Sequence, residues 1–141
     1  MRYDFAAYDG DGHLKVLIEA KRRSHTSRDW AAAFRRNLLA HGHTPEAELF
    51  VLVLPDRIYT WRAGSAMDAP PDAEIDAAPI LAPYFKRAHV DPKTIDAMAF
   101  ELLVAWWLED LARQVGPDEQ LQRSGLAEAL AGGRIARDVA A

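Results

Sequence analysis

Apolar positions alternate at the start of the chain, then become continuous, then switch to helical spacing. Arg2 to Tyr8 and His13 to Lys21 read as strands, and Asp9-Gly10-Asp11-Gly12 between them is hairpin turn chemistry. Closure on a two-residue loop sets Asp9 against Gly12; closure on all four sets Tyr8 against His13. Either way paired numbers sum to 21, and Asp4 stands opposite Leu17. Side chains alternate with period two, so Leu17, Glu19 and Lys21 share the face of Asp4, with Asp4 and Glu19 as diagonal neighbours. Leu14 to Ile18 is apolar except for Lys15, the mark of a strand buried on both faces.

Thr26 or Ser27 caps a predicted helix running to about His41, with Trp30, Phe34 and Leu38 as its core stripe and Gly42 as its stop. His41-Gly42-His43 reads as helix-end capping rather than a metal site. A buried strand over Leu49 to Leu54 turns at Pro55-Asp56-Arg57 into Ile58 to Trp61, expected to be shorter and more exposed. Residues 63–79, with three prolines and four acidic residues, read as a surface connector, and 80–87 as a short helical or extended lead-in. A long helix is predicted from near Asp91-Pro92 to about Val115, stopped by Gly116-Pro117. Between Ala97 and Leu108 it is apolar all round except for Glu101. Trp106 and Trp107 point in different directions, so either a subunit interface or a second core helix is needed to cover both. A further helix over Leu121 to Leu130 and a frayed end complete the chain. The expected organisation is a core at 1–62, a connector at 63–90 and a helical part at 91–141 packed on the same domain.

Two carboxylates beside an amine at a strand end suit a hard divalent cation and a phosphodiester. Oxygen ligands favour Mg2+ or Mn2+, which take one or two protein carboxylates and keep several waters. Asp4 and Glu19 are the candidate ligands, and the backbone carbonyl of Ala20 between Glu19 and Lys21 is a further oxygen. Lys21 would orient the attacking water or stabilise the developing negative charge. Burial lowers its pKa while adjacent carboxylates raise it. The electrostatic role is the one expected.

An Asp on one strand, a turn, then an apolar strand ending in Glu-x-Lys resembles the PD-(D/E)xK nuclease superfamily. Here the motif reads Tyr3-Asp4, then Glu19-Ala20-Lys21, and the order of elements through residue 62 is similar to that family's αβββαβ core. The resemblance implies an α/β fold with a restriction-endonuclease-like mixed sheet flanked by helices, followed here by a C-terminal helical segment. It also implies catalysis by Asp4, Glu19 and Lys21 with Mg2+ or Mn2+, on DNA ahead of RNA. Tyr3 stands where the family usually has proline. Only three residues precede Asp4, where the family commonly has a helix carrying another acidic ligand. Such a helix is dispensable here, or is replaced by a later helix or another subunit, or the site is a remnant. The alternative reading is a noncatalytic nuclease-like scaffold that binds a protein partner or nucleic acid.

Composition narrows the rest. The chain has 141 residues, half of them hydrophobic, which is enough for one domain with a substantial core. It has no cysteine, which excludes disulfides and thiol catalysis and points to a cytoplasmic setting. No apolar run is long enough for a bilayer, so no membrane partner is expected. The net charge of -4 is unevenly spread: Lys15 to Arg36 carries seven basic residues against Glu19 and Asp29, or +5, leaving -9 elsewhere. A basic segment beside the motif suggests a local phosphate footprint made by Arg22, Arg23, Arg35 and Arg36. The helix around Trp106 and Trp107 is the candidate surface for a homodimer or a partner subunit.

Overall fold

The computed structural model describes residues 2–42, 45–115 and 118–140. The expectations for His43 and for the Gly116-Pro117 stop lie outside the described residues. The elements are β1 (Arg2–Tyr8), β2 (Leu14–Ala20), α1 (Arg28–Ala40), β3 (Leu49–Val53), β4 (Arg57–Arg62), β5 (Ala73–Asp76), α2 (Ala78–Ala88), α3 (Ala97–Ala112), α4 (Glu119–Arg123), α5 (Leu126–Leu130) and β6 (Arg134–Ala140). Six strands form one mixed sheet in the order β5-β4-β3-β2-β1-β6, with β2 and β3 parallel and the other pairs antiparallel. The fold is mixed α/β.

Central β2 and β3 are buried on both faces, as their apolar runs require. On one face Phe5, Val16, Ile18 and Val51 pack against Leu81, Phe100, Val104 and Leu126 from α2, α3 and α5. On the other, Leu17, Phe50, Leu52 and Trp61 meet Ala31, with Trp30, Phe34 and Leu38 of α1 at the edge. Ser27 caps α1 by accepting from the Trp30 amide, and the helix ends at His41, close to expectation.

The hairpin register departs from expectation twice. The Asp9 amide donates to the His13 carbonyl, so three residues, not two or four, close the turn, with Gly12 at φ +82. A bulge then falls where Tyr8 pairs with Leu14 but Ala7 pairs with Val16, leaving Lys15 as the extra residue. Each slip moves the register by one, so Phe5 pairs with Ile18 and Asp4 comes level with Glu19 rather than Leu17. The two slips preserve parity, which is why the residues still meet.

Three other expectations are corrected. The connector contains β5, which pairs with β4 through Ile58 and Ile75. Strand β4 is therefore covered at its edge, and Ile58, Tyr59 and Trp61 are fully buried rather than exposed. The Trp61 indole donates to the Ala69 carbonyl, which draws the proline-rich loop over it. The C-terminal part is not wholly helical, because β6 pairs along the whole of β1. Its apolar positions, Ile135 and Val139, are too sparse to announce a strand; the free edge of β1 supplies the backbone partners. Finally, α3 starts at Ala97 behind the Asp96 cap, since the Asp91 carbonyl closes a separate turn onto Thr94 and Ile95. Among the described residues no helix is long and apolar enough to cross a membrane.

Candidate active site

The backbone around Asp4 is irregular in a way that creates the site. Phe5 and Ala7 face the α3 side and Ala6 the α1 side, but Tyr3 also packs on the α1 side, so strand alternation breaks at Asp4. The β6 register passes from Tyr3↔Val139 to Phe5↔Arg137, and Asp138 between them has φ +54. The Asp4 amide accordingly turns to the Glu19 carboxyl, donating to Oε2 at 3.4 Å. Asp4 Oδ2 in return accepts from the Ala20 amide at 2.9 Å. The side chains stitch together strands whose ladder has stopped.

Lys21 joins where β2 ends, its amide held by the Val53 carbonyl of β3. Its ammonium lies 3.2 Å from Asp4 Oδ2 and 3.6 Å from Glu19 Oε2. Asp4, Glu19 and Lys21 are thus brought together as their spacing suggests. Ala20 sits between them, its side chain buried and its amide committed to Asp4.

Reasoning from sequence missed a fourth member. Glu101 of α3 is coupled electrostatically to Asp4 and Lys21. Its signal was present: it is the single charged residue in the apolar stretch from Ala97 to Leu108. Arg137 of β6, beside Phe5 in the register, also acts on Glu101 electrostatically. Nothing local in the sequence connects Arg137 to Asp4, because β6 exists through its pairing with the distant β1.

The charges do not balance. Burial, then its contacts with Asp4, push the Glu19 carboxyl up to about 8. Burial and then the charge of Asp4 also raise Glu101. Burial works against ionised Asp4 too, but hydrogen bonds from Glu19 and the Ala20 amide, with the Lys21 charge, hold it below the usual carboxylate range. For Lys21 burial favours the neutral amine, yet Glu19 and Asp4 prevail and raise it above its ordinary value. Lys21 is therefore a cation at neutral pH, suited to holding negative charge and not to accepting a proton. Asp4 and Glu19 beside the Lys21 ammonium offer the one or two hard carboxyl oxygens that Mg2+ or Mn2+ takes from a protein.

The arginines separate. The Arg22 guanidinium donates to the Ile95 carbonyl and Arg23 lies 5.1 Å over the Trp30 ring, both on the segment that leaves the site. Arg36 is exposed on α1. Arg35 is buried, its guanidinium donating to the Ala66 and Ser65 carbonyls and lying over the Trp61 ring, so it anchors the loop over Trp61.

At the other end of the hairpin, ligand atoms of Asp9, Asp11 and His13 lie within 4.8 Å of one another. This closeness follows from the turn, where Asp9 Oδ1 accepts from the amides of both Asp11 and His13. No protein-family model, curated protein or solved structure matches the chain.

Proposed function

We propose that this chain is a restriction-endonuclease-like enzyme of the PD-(D/E)xK type that hydrolyses nucleic-acid phosphodiesters with Mg2+ or Mn2+. The observation that carries the reading is the meeting of Asp4, Glu19 and Lys21 at the open end of the β1–β2 hairpin, with Glu101 of α3 coupled to Asp4 electrostatically. Asp4 and Glu19, with the Ala20 carbonyl, would hold the cation, and Glu101 would add negative charge from α3. When bound, the cation supplies polarisation of a phosphoryl oxygen and a more acidic water. The Lys21 ammonium orients that water and stabilises charge developing on the phosphate. Arg22, Arg23 and Arg36, with Arg137 on the far side, give the phosphate footprint, and DNA is the preferred substrate. A cytoplasmic setting belongs to the same reading.

One observation favours a noncatalytic scaffold instead. The carboxylates of Asp4 and Glu19 accept from the backbone amides of Ala20 and Asp4, bonds that hold the strands where the ladder stops. Cleavage of labelled single- and double-stranded DNA and RNA decides between them. The enzyme reading expects cutting with Mg2+ or Mn2+, none with Ca2+, and loss of cutting in Lys21→Ala. Wild-type protein that cuts nothing with any of these metals, or a Lys21→Ala variant that cuts equally well, establishes the scaffold.

A further inference from the structure

Helix α3 presents two faces of opposite character. Phe100, Leu103, Val104 and Trp107 are in the core, whereas Met98, Leu102 and Trp106 are 72%, 52% and 38% exposed. Those three stand at i, i+4 and i+8, so they form one stripe along the helix. Among the described residues, the exposed large hydrophobics are these three with Met67 and Val115, so most lie on this single line. Scattered exposed apolar side chains are ordinary; a contiguous row is the mark of an interaction surface.

The row is ordered. The Trp106 ring meets Tyr84 edge-on at 5.0 Å and 88°, and the Arg87 guanidinium lies 5.5 Å over it. Tyr84 is itself fixed by donating its hydroxyl to Asp110 at 2.7 Å. Beside the row runs an apolar groove of about 320 Å³, floored by Val90, Ile95, Ala99 and Leu103. A protruding Met98 next to a groove of matching chemistry makes the face self-complementary, as a two-fold interface requires.

Charge selects the direction. Beyond Trp106 the stripe continues as exposed Glu109 and Arg113, while exposed Asp91 and Lys93 precede it in the turn before α3. A parallel copy would place Glu109 against Glu109. An antiparallel copy centred on Leu102 sets Met98 against the partner's Trp106, Lys93 near the partner's Glu109, and Asp91 near the partner's Arg113. Lys93 and Asp91 then each face a group of opposite sign.

We infer that a second copy of this chain docks antiparallel on the α3 stripe, with Leu102 on the two-fold axis and Met98 entering the partner's groove beside Trp106. Trp107 stays in the core, so only one of the two adjacent tryptophans serves the interface. This assembly does not depend on the catalytic reading.

Sedimentation velocity and light scattering over a dilution series of the whole chain test it. The expected result is a dimer that dissociates on dilution. Leu102→Glu should raise the dissociation constant by about thirtyfold or more, the size of a hot-spot loss, with an unchanged circular dichroism spectrum. Met98→Glu serves the same purpose should Leu102→Glu fail to fold. Lys93→Glu should weaken the dimer, and adding Glu109→Lys to the same chain should restore it. A wild type that is monomeric throughout, or a dimer indifferent to both stripe variants, overturns the inference. Failure of the charge exchange to restore the dimer overturns the antiparallel alignment.

Discussion

The β1–β2 hairpin carries an acidic group at each end, and the two behave in opposite ways. At the turn, Asp9 is partly exposed and held below its ordinary pKa, first by the His13 amide. At the open end, Glu19 is 3% exposed and raised to about 8. The turn carboxylate is content as an anion because water and two amides solvate it. Glu19 has little water, and its neighbours include Asp4 as well as Lys21. Clustering of acids therefore says little by itself; burial combined with unbalanced charge distinguishes a group with a task beyond holding the chain.

The largest effect should come from deleting the open-end group. Lys21→Ala or Glu19→Ala should reduce metal-dependent cleavage by roughly a hundredfold or more, as loss of a transition-state partner does. Asp9→Ala and Asp11→Asn should leave the cleavage rate unchanged. Equal losses at both ends would erase the distinction. Glu101→Gln comes next: it keeps the shape and removes one charge, and should cost roughly 10–100-fold in Mn2+ affinity or activity. Mn2+ titration followed by calorimetry measures this without reliance on turnover. An unchanged affinity would remove Glu101 from the site.

How much of this was legible in the sequence follows from the range of the interactions involved. The β1–β2 strands, the Ser27 cap and the apolar runs of β2 and β3 are local patterns, and each was readable. The meeting of Asp4, Glu19 and Lys21 was readable only through parity: the turn and the bulge at Lys15 each slipped by one, and one slip alone would have separated the faces. Strands β5 and β6 were not legible, because Ile75, Ile135 and Val139 carry too little pattern and the strands exist by pairing with distant edges. For the same reason Arg137 was invisible. Glu101 was visible as an anomaly in an apolar helix, but its partner depended on how α3 packs. Arg35 looked like any surface cation until the loop over Trp61 was in place.

The pH dependence sharpens the comparison further. The folded chain keeps the Glu19 proton to about pH 8, whereas an unfolded chain releases it near 4.5. Between these values the folded state binds the extra proton, so Glu19 lowers stability as pH rises, with a slope approaching ~1.4 kcal/mol per pH unit. The contribution is complete below the unfolded value and lost by the folded one. Urea unfolding of wild type and Glu19→Gln without metal should show the slope in the first and its absence in the second. Mn2+ should bind more tightly as pH rises through this window and release protons as it does so. Parallel pH profiles for the two proteins would show that Glu19 is ionised without metal.

The smallest effect belongs to the turn. Asp9 Oδ1 accepts from the Asp11 and His13 amides, both 2.9 Å away, and Asp9→Ala removes both bonds while water takes their place. Because Asp9 is held below its ordinary pKa, its contribution is present above the unfolded value near 3.8 and disappears as pH falls through the lower folded one. At neutral pH the variant should therefore melt only slightly below wild type, and the gap should close on acidification. Calorimetric melting at a series of pH values reads this directly. Asn at position 9 keeps an amide-accepting oxygen and should recover most of the loss at neutral pH, with no change in Mn2+ affinity at the open end. A turn variant that altered that affinity would mean the two acidic groups communicate along β1 and β2, and the separation between a solvated turn and a charged, buried centre would fail.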